Sequence, residues 1–137
     1  GAPGIAAHRP FSCLDDSVRH RSRRQPHFRI GRRNCLPAIH GQPVARAHAK
    51  DMFERGYFSH VNPEGKDVGD RLQEAGIRYL VAGENLALAP SLAMAHDGLM
   101  QSSGHRENIL SSDFSKVGIG VVDGGRYGKM FVQVFTD

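Results

Sequence analysis

The sequence predicts an α+β fold, an antiparallel sheet covered by helices. Three observations carry that expectation. Two stretches in the middle of the chain repeat apolar residues at helical spacing. The last stretch reads as a β-hairpin, with KVGIGVV and KMFVQVF flanking DGGRYG and Asp-Gly as the turn signal. Helices followed by a hairpin, in a chain of 137 residues with room for one core, fit a sheet with helices packed on it.

Taken in order, residues 1–40 show neither a sustained helical period nor strand alternation, and their Arg, His, Pro and Ser content reads as a loop or a disordered arm. The language changes at Gln42. PVARAHAKDMFERG has Pro43 suited to a first helical turn and Gly56 suited to a stop, with Ala45, Ala49, Met52 and Phe53 on one stripe, so a helix is expected over about 43–55. SHVNPEGKD is a loop with Asn-Pro and Gly as turn signals. VGDRLQEAG is a short helix ended by Gly76, with Val68, Leu72 and Ala75 on one side, and IRYLVAGENLALA includes a short extended piece. Ser91 is placed to cap a helix over about 92–102, whose apolar face is Leu92, Ala95, His96, Leu99 and Met100. In the hairpin, Val117, Ile119 and Val121 share one face; Met130, Val132 and Val134 line another. No internal repeat is visible.

Composition sets limits. With 39% hydrophobic and 23% charged residues the chain is that of a soluble globular protein. No apolar run reaches the ~20 residues that span a bilayer, and the opening GAPGIAAH lacks the order of charge of a signal peptide, so an export signal is expected outside this chain. The net charge of +4 is uneven: residues 1–40 hold eight Arg against two Asp, and residues 41–137 carry a small negative excess. A basic segment can bind nucleic acid or other polyanions, but its arginines are scattered and no nucleic-acid fold motif accompanies them. Cys13 and Cys35 lie in the same segment; a bridge between them would stabilise by ~3 kcal/mol, and two cysteines do not fix the redox compartment.

GIGVVD has two glycines of a dinucleotide fingerprint but leads into a turn, and HExxH, GxSxG, Walker and CxxC motifs are missing. What remains is His60 after the first helix, Glu84 in AGENLA, and His105 in SSGHRENIL, with His96 on the helix before it. Two imidazoles and a carboxylate form the ligand set of several catalytic zinc sites, with water in the fourth position. Their spacing carries no metal signature by itself. His105 is equally suited to satisfying backbone groups at a helix start, Glu84 to being anchored by nearby donors, and His96 to packing on its helix.

The blocks ARAHAKDMFERGYFSHVNPEGKDVGDRLQEAG, AGENLA, LMQSSGHRENIL, KVGIGV and FVQVF, in this order over about residues 43–135, resemble a bacterial member of the CAP superfamily, the SCP-like group that includes cysteine-rich secretory proteins, antigen 5 and plant pathogenesis-related proteins. The resemblance implies an α-β-α sandwich, with the antiparallel sheet between helical layers, and an extracellular or cell-wall setting. It implies a central cleft lined by two His and two acids that in some members holds a divalent ion such as zinc. By motif these are His60, Glu84 and His105, with His96 a further cleft imidazole. At the place of the second acid stands Ser102, with Leu99 where the family has Trp, so the tetrad is incomplete. On this reading His105 opens a short helix with its ring toward His60 and Glu84, and Asn108, Ile109 and Leu110 lock that helix to the core.

The family's first helix has no counterpart in residues 8–40. Residues 1–40 are therefore read as an atypical basic segment, disordered or the product of a shifted reading frame, and 41–137 as the SCP-like domain. Three functions are expected from different classes. The first is a secreted binding domain whose cleft takes a divalent ion and an extended peptide, lipid or cell-wall ligand. The second is a metal-assisted hydrolase with His60 and His105 holding zinc and Glu84 as third ligand or general base. The third is polyanion binding by the basic arm. No established catalytic activity follows from the motifs.

Overall fold

The computed structural model describes residues 12–13, 18–21 and 41–137. Among the described residues the elements in chain order are β1 (Ser12–Cys13), β2 (Val18–Arg21), α1 (Gln42–Arg55), α2 (Val68–Glu74), β3 (Val81–Ala89), α3 (Leu92–Gln101), α4 (Ser103–Leu110), β4 (Lys116–Asp123) and β5 (Lys129–Thr136), with a 3₁₀ turn at Gly125–Tyr127. All strand pairings are antiparallel, in the order β1-β3-β5-β4, with β2 beside β1 on the same edge of β3. The pairing of Cys13 with Cys35 lies outside the described residues.

Side chains alternate across a strand, and that alternation builds the layers. On one face Ala82, Leu86 and Leu88 of β3 and Met130, Val132 and Val134 of β5 pack with Val44, Ala45, Ala49 and Met52 of α1 and Val68 and Leu72 of α2. On the other face Ala87, Ala89 and Phe131 pack with Ala95 and Leu99 of α3, and half-buried Ile109 of α4 closes over them. The result is the α-β-α sandwich that the resemblance implied.

The helix ends follow local chemistry. Pro43 stands in the first turn of α1, and Gly56, at φ 70°, stops it, a conformation that favours glycine. In α2, Asp67 accepts from the Asp70 amide at 3.0 Å while the Asp70 side chain accepts from the Asp67 amide at 3.1 Å, a reciprocal cap. Ser91 caps α3 through the Met94 amide.

Four features differ from the sequence expectations. The extended piece before residue 90 is a nine-residue central strand, buried along nearly its whole length. Its Ala and Gly residues fill both faces, so it lacks the alternation that marks a half-exposed strand. Residues 12–13 and 18–21, where no strand period was read, hydrogen-bond to the open edge of β3. The β4 stripe Val117, Ile119 and Val121 is exposed, whereas Gly118 and Gly120 face α1 and are buried. A Cβ on Gly120 would lie 2.3 Å from the Arg46 amide nitrogen, so the helix backbone rests directly on the strand. On α3 only Ala95 and Leu99 are buried; Leu92 and His96 are exposed, because this short helix touches the sheet along a narrow strip.

Candidate functional site

The centre of the site is Glu84, which β3 carries on its α1/α2 face at 0% exposure. Its Oε1 accepts from Nδ1 of His60 at 2.8 Å. Arg71, on α2, reaches the same carboxylate with both terminal nitrogens, Nη1 to Oε2 at 2.9 Å and Nη2 to Oε1 at 3.1 Å. Nη2 also donates to the His60 carbonyl at 2.9 Å. Burial opposes ionisation of Glu84, but the His60 hydrogen bond and the charge and hydrogen bonds of Arg71 outweigh it, so the carboxyl titrates below its ordinary range. Because the carboxylate can only accept, Nδ1 of His60 carries the proton.

The loop that carries His60 is stitched to both helices. His48, buried on α1, donates from Nε2 to the Ser59 carbonyl at 2.8 Å. Burial pushes the His48 imidazole below its ordinary pKa, and the nearby Glu84 charge only partly offsets this, so the ring is neutral. The Asn62 side chain accepts from the Glu64 and Lys66 amides at 3.1 and 2.9 Å. Farther out, Arg55 bridges Asp51 of α1 and Glu64 of the loop.

His105 lies in α4, fully buried, and its Nδ1 pairs with the Ser102 hydroxyl at 2.8 Å. Ser102, between α3 and α4, is thus a hydrogen-bond partner of this histidine. α4 is held on the Asn85 face of β3: Asn85 donates to the His105 carbonyl at 3.0 Å, and the Asn108 amide donates to Asn85 Oδ1 at 3.0 Å. Arg19 of β2 donates from Nε to Asn108 Oδ1 at 2.9 Å. Of the three residues expected to lock α4, Asn108 is buried and Ile109 half-buried, but Leu110 is 66% exposed.

Among the predicted site residues, then, His60 and Glu84 meet. Within the described residues Glu84 is bonded to His60 and Arg71 and not to His105, and His96 is exposed on α3. A zinc centre built on His60, Glu84 and His105 does not fit this arrangement. Both oxygens of Glu84 are committed to Arg71 and His60, and among the described residues no group of three or more His, Cys, Asp or Glu is disposed to hold a metal. Arg71 and His48 escaped the sequence reading although both carry a signal: Arg71 sits between Val68 and Leu72 on the buried side of α2, and His48 lies on the Ala45–Ala49–Met52 stripe of α1. A polar residue on a buried stripe demands a partner. Apart from this cluster, an open groove of about 460 Å³ runs along the end of α4, lined by Arg19, Arg106, Glu107, Leu110, Ser111 and Ser112.

A three-layer domain whose loop histidine is bound to a buried strand carboxylate is the class these features define. The chain belongs to the CAP, or cysteine-rich secretory protein, family, which matches residues 42–135. It is 38% identical over 94 residues to the uncharacterised membrane protein YlbC of Bacillus subtilis, covering 66% of this chain and 26% of that protein. It is 38% identical over 82 residues to the uncharacterised protein YkwD of the same organism, covering 59% of this chain and 32% of the relative. The chain thus spans roughly a quarter to a third of these relatives. Among solved structures, an extracellular protein of Bacillus anthracis containing an SCP domain superposes with TM-score 0.63 at 39% identity, over 71% of this chain and 31% of that one. An outer surface protein of Borrelia burgdorferi superposes with TM-score 0.65 at 21% identity, over 70% and 71%, which is a likeness of fold. No helix described is long and apolar enough to cross a membrane.

Proposed function

We propose that this chain is the binding domain of an exported protein, that it takes an extended cell-wall or lipid-derived ligand beside His60, and that it performs no hydrolysis. One observation carries the proposal. Glu84, the only acid at a matched site position, is fully buried and has its carboxylate occupied by His60 and by the two-pronged contact of Arg71. A general base must reach the water or hydroxyl it deprotonates, at hydrogen-bond distance or through one water. Glu84 is instead a structural anion that orients an imidazole. The second carboxylate that acid–base chemistry would use is replaced by Ser102, whose hydroxyl pairs with His105. The extracellular description of the Bacillus anthracis structural neighbour supports an exported setting.

The test is co-sedimentation of the purified chain with insoluble peptidoglycan sacculi and with lipid vesicles, run beside peptidase and esterase panels with and without chelator. Retention that falls at least tenfold in His60→Ala, with no turnover, is the expected result. Chelator-sensitive turnover that disappears in Glu84→Gln or His60→Ala would overturn it in favour of the metal-assisted hydrolase. The polyanion reading of the basic segment falls mainly outside the described residues.

A further inference from the structure

We propose that His48 of α1 and Arg71 of α2 are positioning residues that clamp the Ser59–His60 peptide and thereby set the direction in which the His60 ring is presented. The functional weight of this clamp rests on the reading of His60 as a ligand-side residue; its geometry does not.

Three elements converge on two consecutive residues of one loop. His48 holds the Ser59 carbonyl from α1 at 2.8 Å. Arg71 holds the His60 carbonyl from α2 at 2.9 Å. Glu84 holds the His60 ring from β3 at 2.8 Å, and Arg71 in turn grips Glu84 through both of its oxygens. Fixing successive carbonyls removes rotation of the peptide between them, and fixing Nδ1 removes rotation of the ring. One guanidinium therefore couples the main chain and the side chain of His60, which a compact ammonium cannot do, because the planar fork supplies several donors in a fixed geometry.

The roles are chemically assigned. Ser59 offers a carbonyl, so Nε2 of His48 carries the proton and Nδ1 is bare. Nδ1 of His48 and Nε of Arg71 are both buried without a hydrogen-bond partner among the described residues. Leaving such atoms unsatisfied costs stability, and an apolar residue on the same helix faces would avoid that cost. The polar residues are explained by the bonds they make to the His60 loop, not by what they add to the core.

Long-range proton–nitrogen NMR of the histidine rings in the full chain tests the clamp without any ligand. In the wild type the His60 proton on Nδ1 should exchange slowly with water, and His48 should be the Nε2-protonated form. His48→Phe keeps ring volume but removes the donor; His48→Gln restores an N–H at nearly the same reach. Arg71→Lys keeps the charge against Glu84 but cannot also span to the His60 carbonyl. The expected result is at least tenfold faster exchange of the His60 proton in His48→Phe and Arg71→Lys, recovery to within about twofold in His48→Gln, and unchanged amide protection in β3 and β5. A folded His48→Phe or Arg71→Lys with the wild-type His60 signature overturns the proposal, as does a His48→Gln no better than His48→Phe. Should His48→Phe not fold, the contrast between His48→Gln and Arg71→Lys decides. Failure of the wild type to bind sacculi or vesicles, with these exchange shifts intact, counts against the binding reading and leaves the clamp standing.

Discussion

Replacing Glu84 by Gln preserves shape and removes one charge from a fully buried position. Gln keeps an acceptor for Nδ1 of His60, but its amide NH₂ then meets one prong of the Arg71 fork, donor against donor. The Arg71 side chain is only 10% exposed, so its charge is left unpaired in a poorly solvated place. Breaking a buried ion pair by removing one partner costs about 3–5 kcal/mol. At the lower bound, in a domain of this size, the melting temperature should fall by about 15 °C. Thermal unfolding followed by circular dichroism measures this directly. Glu84→Gln/Arg71→Met, which removes both charges, should recover at least half of the loss. The pH dependence has a defined sign. The folded-state pKa of Glu84 lies below the 4.5 of a free glutamate. Its contribution is therefore full above the unfolded-state pKa and is lost as pH falls through the folded one. The gap between wild type and Glu84→Gln should stay constant near neutrality and narrow below pH 4.5. A Glu84→Gln protein as stable as wild type at pH 7, with no gain from the second substitution, would refute the assignment of Glu84 as a structural anion.

Three further outcomes follow from other parts of the molecule. The folded-state pKa of His48 lies below the 6.5 of a free imidazole, so the unfolded chain binds the extra proton first and stability should decline as pH drops below that value; His48→Gln should flatten that slope in denaturant titrations between neutral and mildly acidic pH. Gly120→Ala would place its methyl 2.3 Å from the Arg46 nitrogen, so α1 must lift from β4, with an expected cost of about 3 kcal/mol in urea unfolding; a wild-type midpoint would contradict the close helix–strand approach. Zinc titrated calorimetrically into wild type and into His60→Ala/His105→Ala should give the same weak affinity, and a hundredfold loss in the double variant would restore the metal centre that the geometry of Glu84 argues against.

The elements ruled by local chemistry were legible from residues alone. Pro43 and Gly56 bound α1, Ser91 caps α3, and the closing hairpin follows from two alternating strands around Asp-Gly, because caps, stops and turns depend on neighbours in sequence. The motif resemblance also reached His60, Glu84 and His105. It did not reach the partners that define their chemistry, since these come from other elements: Arg71 from α2, His48 from α1, and Asn85 from β3 against α4.

What the sequence by itself determined was the family, the α+β class, and two residues of the central cluster. Tertiary structure alone decided that Glu84 belongs to Arg71 and His60, that His105 belongs to Ser102, and that Val117, Ile119 and Val121 face away from α1 while glycines face it. The physical reason is that spacing along a chain fixes which side of an element a residue occupies, whereas the charge state and role of a buried group depend on the atoms that folding brings against it.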